Sequence, residues 1–176
     1  MARTPSAKLS IALPSDTEIL MTRVFEAPRH LVFEAMSKPE YIRRWWGCMD
    51  GFTMPVCEVD FRVGGKYRFV GRAPDGNEFG FSGEYLEIAA PARIVNTEIF
   101  DPFPDSPAIC TMTLEERDGK TYYSNLIKHD SQQARDAHVG SGMEYGAGLG
   151  LDMIEEIAQG LARVPASSAT QPAART

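Results

Sequence analysis

SQQARDAHVGSGMEYGAGLGLDMIEEIAQGL, residues 131–161, reads as one long amphipathic helix towards the C-terminal end of the chain. Ser131, ahead of Gln132, Gln133 and Ala134, has the form of a helix cap, because a serine hydroxyl accepts from an otherwise unpaired N–H of the first turn. Val139, Met143, Ala147, Ile154, Ile157 and Leu161 then share a broad face, while Asp152, Glu155, Glu156 and Gln159 lie away from it. Gly140, Gly142, Gly146, Gly148 and Gly150 crowd into the same stretch, and each interior glycine costs ~1 kcal/mol relative to alanine. Something offsets that cost. The glycines let the helix approach a neighbour closely, leave room for a cavity, or mark a break in the helix.

Upstream of this helix the chain reads as strands. Residues 52–59, 66–71, 78–88, 93–100, 108–116 and 120–128 are rich in β-branched and aromatic residues with partial alternation. Val63-Gly64-Gly65, Pro74-Asp75-Gly76-Asn77, Ala90-Pro91 and Asp118-Gly119 supply the breaks between them. Asp118-Gly119 is the clearest hairpin, since a primed turn needs positive φ at both central residues. Connections this short join antiparallel neighbours. Residues 101–107 carry three prolines and read as an exposed loop.

Residues 17–25 form a further strand, and two short helices follow it. Pro28 sits at the start of the first, and Pro39 at the first turn of the second, which runs to Trp45-Trp46 and stops at Gly47. The expected fold is α+β: a curved seven-stranded antiparallel sheet around a long C-terminal helix, with two short helices after strand 1. Residues 1–15 are expected to be a flexible segment, 16–163 a single domain, and 164–176, VPASSATQPAART, a disordered tail.

Composition excludes several function classes. The net charge is −6, with Lys and Arg scattered, so no basic patch for nucleic acid or an anionic membrane is expected. No run approaches the ~20 apolar residues of a bilayer span, and nothing at the N-terminus reads as a signal peptide. Cys48, Cys57 and Cys110 make an odd count without a CxxC pair, which suits free thiols and a cytoplasmic location.

Chemistry-bearing motifs are few. His30, His129 and His138 are not spaced as ligands on one element, so no metal and no cofactor are expected. There is no GxSxG elbow and no phosphate-binding glycine loop. Asp60 and Arg62 point to one side of a strand and read as a salt bridge at the Gly64-Gly65 bend. Among the strand carboxylates Glu58, Glu84, Glu87 and Glu98, any that faces inward without a partner is a candidate acid with a perturbed pKa. His129, at the end of the last strand, is placed to look into a cavity mouth. Of Trp45 and Trp46, adjacent on a helix, at most one is expected to point inward.

Alternate residues of the strands collect Tyr67 and Phe69, Phe79, Phe81 and Tyr85, Cys110 and Met112, and Tyr123 and Asn125 on one face. That set fits a solid core as well as a pocket, which is mostly apolar with a few placed polar groups.

FEAPRHLVFEAMSKPEYIRRWWG (25–47), VDFRVGGKYRF (59–69), PDGNEFGFSGEYLEI (74–88), PARIVNTEIFD (91–101) and SQQARDAHVGSGMEYG (131–146) are similar, in order and spacing, to segments of SRPBCC (START-like) domains. The resemblance is to the bacterial group related to the Aha-type activators of a heat-shock ATPase, and it spans about residues 17–162. It implies the helix-grip fold and a deep cavity between sheet and long helix, but no single activity. Relatives often carry Trp after the GMexG segment, where this chain has Tyr145-Gly146-Ala147-Gly148, a change that reshapes the pocket. The resulting expectation is a protein that binds a small hydrophobic ligand, with Trp45, Tyr67, Phe69, Phe81, Met112, Tyr123, Asn125 and Met143 lining its cavity. An enzyme of the cyclase, dehydratase or hydrolase type, with His129 or Glu98 as acid or base, is the alternative. A co-chaperone role ranks behind both, and a homodimer is compatible with each.

Overall fold

The computed structural model describes residues 3–6 and 8–163, so the expected tail at 164–176 lies outside the described residues. The elements run β1 (Ser10–Ala12), β2 (Glu18–Phe25), α1 (Arg29–Ser37), α2 (Pro39–Trp45), β3 (Thr53–Val59), β4 (Lys66–Arg72), β5 (Glu78–Ala89) and β6 (Arg93–Phe100). β7 (Ala108–Arg117), β8 (Lys120–Lys128), α3 (Gln132–Gly140) and α4 (Met143–Arg163) complete the chain. One antiparallel sheet holds all the strands in the order β1-β2-β8-β7-β6-β5-β4-β3. From β3 to β8 it is a meander whose short turns leave each strand beside its predecessor. At the β7–β8 hairpin Asp118 and Gly119 take φ of 52° and 72°, as a primed turn requires. The fold is the helix-grip α+β arrangement, with α4 packed on α1 and α2.

Three expectations need correction. The sheet has eight strands rather than seven, because Ser10–Ala12, within the segment expected to be flexible, pairs with Leu20–Thr22 of β2. Three residues are too few to show a period, and their order comes from pairing with β2. The long helix is two helices. α3 ends at Gly140, and Gly142 takes φ of +78°, which L side chains rarely adopt, so the chain turns there before α4 begins.

The third correction concerns the polar side of α4. Glu155 is buried and Asp152 half-buried, although both were placed on the outer face. They meet Arg23, whose position on the inward row of β2 (Ile19, Met21, Arg23, Phe25) leaves its side chain with no exposed surface. Arg23 Nη1 donates to Asp152 at 2.6 Å and Nη2 to Glu155 at 2.7 Å. Ser6 N–H also donates to Asp152, while Lys8 Nζ and Glu26 N–H donate to Glu155. Burial acts to raise both carboxyls. These hydrogen bonds and the guanidinium outweigh it and hold both below the usual carboxylate range.

The dry core lies towards this end of the molecule. Ile19 and Phe25 of β2, Val32 of α1 and Leu114 of β7 are almost fully buried there, and Ile42 of α2 and Ile154 of α4, equally buried, lie between this core and a cavity at the other end of the sheet. Thr121, also buried, donates its hydroxyl to the Ala27 carbonyl at 2.7 Å and ties β8 to the turn before α1.

The α4 glycines divide by environment. A Cβ on Gly148 would strike Pro5, and one on Gly150 would press on the Trp45 carbonyl, so these two permit close approach. A Cβ on Gly146 would meet nothing within 4 Å. Gly146→Ala is therefore expected to stabilise the fold by about 1 kcal/mol, through helix propensity alone. Urea denaturation checks this; a loss of stability would show that this glycine meets a need beyond space.

Candidate functional site

At the other end of the sheet the inward residues do not meet α4, and a cavity of about 1020 Å³ remains. Protein interiors otherwise contain few voids larger than a water molecule. Register aligns its wall in rows across β6, β7 and β8: Ile94 opposite Met112 opposite Asn125, then Asn96 opposite Cys110 opposite Ile127. Glu98 opposite Ala108 follows, with His129 one step past the Ile109–Lys128 pair. β4 and β5 contribute Tyr67, Phe69, Phe79, Phe81 and Tyr85, and a bulge between Tyr85 and Glu87 bends β5.

Trp45, Tyr67, Phe69, Phe81, Met112, Tyr123, Asn125 and Met143 all lie on this wall. Both tryptophans do, against the expectation of one. α2 ends at Trp45, and Trp46 takes an extended conformation (φ −76°, ψ 124°), so the helical 100° offset no longer separates them. Trp45 Nε1–H donates to the Ala35 carbonyl at 2.9 Å. Trp46 packs on Phe69, Phe79 and Phe81 with ring centroids 5.5, 5.6 and 5.9 Å away. Phe81 in turn stacks on Phe100 at 4.8 Å, so one side of the cavity is a continuous aromatic wall.

The polar groups gather around β6. Tyr67 reaches over Gly83, where any Cβ would collide with its ring, and donates its hydroxyl to the Thr97 carbonyl at 2.8 Å. Asn96 Nδ2 donates to the Tyr67 hydroxyl at 3.1 Å and to the Thr97 carbonyl at 3.0 Å, which leaves its Oδ1 free. Burial pushes the Tyr67 and Tyr123 hydroxyls and the Cys110 thiol up, and all three stay protonated at neutral pH. Cys110 is accordingly no nucleophile.

Glu98 is the inward strand carboxylate. No hydrogen-bond or ion-pair partner meets its side chain among the described residues, and burial pushes its carboxyl up to about 7. Glu58 and Glu87 are exposed, Glu87 pairing with Arg93, and Glu84 sits on the opposite face from Tyr85. Asp60 and Arg62 form an exposed ion pair at 2.9 Å outside the cavity.

His129, just past the end of β8, and His138, in the last turn of α3, meet with Nε2 and Nδ1 3.0 Å apart. Sequence spacing could not show this, because the pair depends on how α3 returns to the sheet. Burial lowers the His129 pKa; burial and then the neighbouring ring lower that of His138 to about 4. Both rings are neutral at pH 7, one donating to the other. Among the described residues no three His, Cys, Asp or Glu side chains come together as metal ligands. No described helix is long and apolar enough to cross a membrane.

The fold is shared with solved structures of bacterial proteins. A Rhodobacter sphaeroides protein superposes with a TM-score of 0.78 at 22% identity, over 88% of this chain and 99% of that one. A Nitrosomonas europaea protein gives 0.74 at 22%, over 86% and 100%. A Chromobacterium violaceum protein gives 0.68 at 27%, over 82% and 99%. No curated protein matches the chain. The family profile described as activator of Hsp90 ATPase homolog 1-like protein matches residues 26–159, and the chain belongs to that family of SRPBCC domains.

Proposed function

We propose that this protein binds a small apolar molecule in the cavity between the sheet and α4. The observation that carries the reading is the cavity itself: about 1020 Å³ walled by aromatic and Met side chains, with a few polar groups on one side. Ligand sites have that make-up and size. A neutral hydrophobic dye such as Nile red is expected to bind with enhanced fluorescence. Met112→Trp, which adds an indole from the middle of β7, is expected to weaken it at least tenfold while circular dichroism stays unchanged. Equal dye binding by that variant would place the dye elsewhere, and no binding by the parent protein would refute the reading.

A second reading, an enzyme using the same cavity, draws on one observation. Glu98, with its carboxyl raised to about 7, shares the wall with the His129–His138 pair, and groups that titrate near neutrality suit proton transfer. Turnover of an identified ligand that survives both Glu98→Gln and His129→Asn would exclude these groups as its acid and base.

A further inference from the structure

The free groups of β6 in the cavity are all oxygen acceptors, and the nearest unbonded donors, the Tyr85 and Tyr123 hydroxyls, carry no charge. Asn96 spends both Nδ2 hydrogens on Tyr67 and Thr97, leaving Oδ1 as its only free function. The Tyr67 hydroxyl hydrogen is used on the Thr97 carbonyl. Asn125 Oδ1, two strands away on β8, is buried without a partner among the described residues. Glu98, two residues beyond Asn96 on the same face of β6, offers two more unpaired oxygens. Among the described residues no Lys or Arg side chain lines the cavity, so none of them neutralises that carboxylate when it ionises. A half-buried carboxylate without a cation and a buried acceptor left unmatched are costly, and a ligand that supplies donors and positive charge removes the cost. The rings of Tyr67, Tyr85, Phe81 and Phe100 around them suit a cation as well, through their negative faces. An anionic ligand would add repulsion and still more acceptors.

We propose that the ligand of this cavity is an apolar amine, its ammonium held by the Glu98 carboxylate and Asn96 Oδ1 and its aromatic or alicyclic body against the Trp46, Phe69, Phe81 and Phe100 wall. This rests on the cavity being a ligand site and goes further by naming the headgroup. Asn125 Oδ1 accepts from a second N–H or O–H where the ligand has one.

The test is displacement of bound Nile red at neutral pH by three naphthalenes of one size: naphthylethylamine, naphthylethanol and naphthylacetate. The amine is expected to displace dye at a concentration at least tenfold below either of the others. Glu98→Gln should remove that preference, the amine then displacing dye no better than the alcohol. Acidification to about pH 5, where the Glu98 carboxyl is protonated, should erode the preference in the unsubstituted protein as well. Of the groups facing Glu98, Tyr67 from β4, Cys110 from β7 and Tyr123 from β8 stay protonated throughout that range. His129 and His138 have lowered pKa values, and any proton they gain would further repel an amine. Equal or tighter binding of the acetate or the alcohol overturns the proposal while leaving a ligand cavity in place. Amine preference that survives Glu98→Gln overturns it too. If Nile red does not bind at all, the cavity reading falls and this inference with it.

Discussion

Arg23→Ala is expected to destabilise the fold by about 3 kcal/mol, the lower end of what removing one partner from a buried ion pair costs. The guanidinium has no exposed surface, and it bonds Asp152 and Glu155, one turn apart on α4. Without it two carboxylates remain in a poorly solvated place. Lys8 still reaches Glu155 and Ser6 still reaches Asp152, so the loss stays at the low end of the range. Arg23 Nε is buried without a partner, which already reduces what the cluster contributes. A well-packed apolar replacement therefore offers the sharper comparison. Arg23→Met with Asp152→Asn and Glu155→Gln should recover most of the loss, because the cost lies in the orphaned charges rather than in an absent attraction. Urea denaturation of the three proteins decides it. A loss below 1 kcal/mol in Arg23→Ala would mean that water already reaches both carboxylates.

The parts of this fold that show in the sequence are those with local causes. Alternation along β5 and β8, Asp118-Gly119 between β7 and β8, and Pro28 and Pro39 at the two helix starts each act over a few residues, and the elements they mark lie where expected. The inward face was legible for the same reason: on a strand, inward and outward follow from period two, and Tyr67, Phe81, Met112 and Asn125 needed only that rule, whereas period two does not tell a filled core from a cavity. What escaped depends on chain segments far apart. Arg23 meets Asp152 across 129 positions, and its burial looks wrong until α4 is laid over β2. Trp46 turns inward because α2 stops one residue earlier than its composition suggests. His129 and His138 touch only because α3 folds back beside the end of β8. Asn96 drew no attention, since a single Asn in a strand gains meaning only when its amide is seen bridging Tyr67 and Thr97.

Between about pH 5 and 7 the stability of the unsubstituted protein is expected to be nearly flat, and two substitutions should tilt it in opposite directions. Glu98 has its carboxyl raised from 4.5 to about 7, so the folded state holds that proton after the unfolded state has released it. Its effect is stability present at low pH and lost as pH rises towards 7. His138 is the reverse. Its pKa falls from 6.5 to about 4, so the unfolded state takes up the proton first, and stability present above 6.5 is lost as pH falls. Each slope amounts to about 1–2 kcal/mol across this window, after allowing for water that reaches the cavity. Glu98→Gln should leave the histidine slope alone, with a urea midpoint that drops as the buffer goes from pH 7 to 5. His138→Asn removes the larger histidine contribution and leaves only that of His129 against the Glu98 slope, so the midpoint rises over the same interval. The lowered carboxyls of Asp152 and Glu155 begin to take up protons only below this range, so they do not confuse the reading. Profiles parallel to that of the unsubstituted protein in both variants would show that neither group is held away from its ordinary pKa, and that the cavity is wetter than its walls imply.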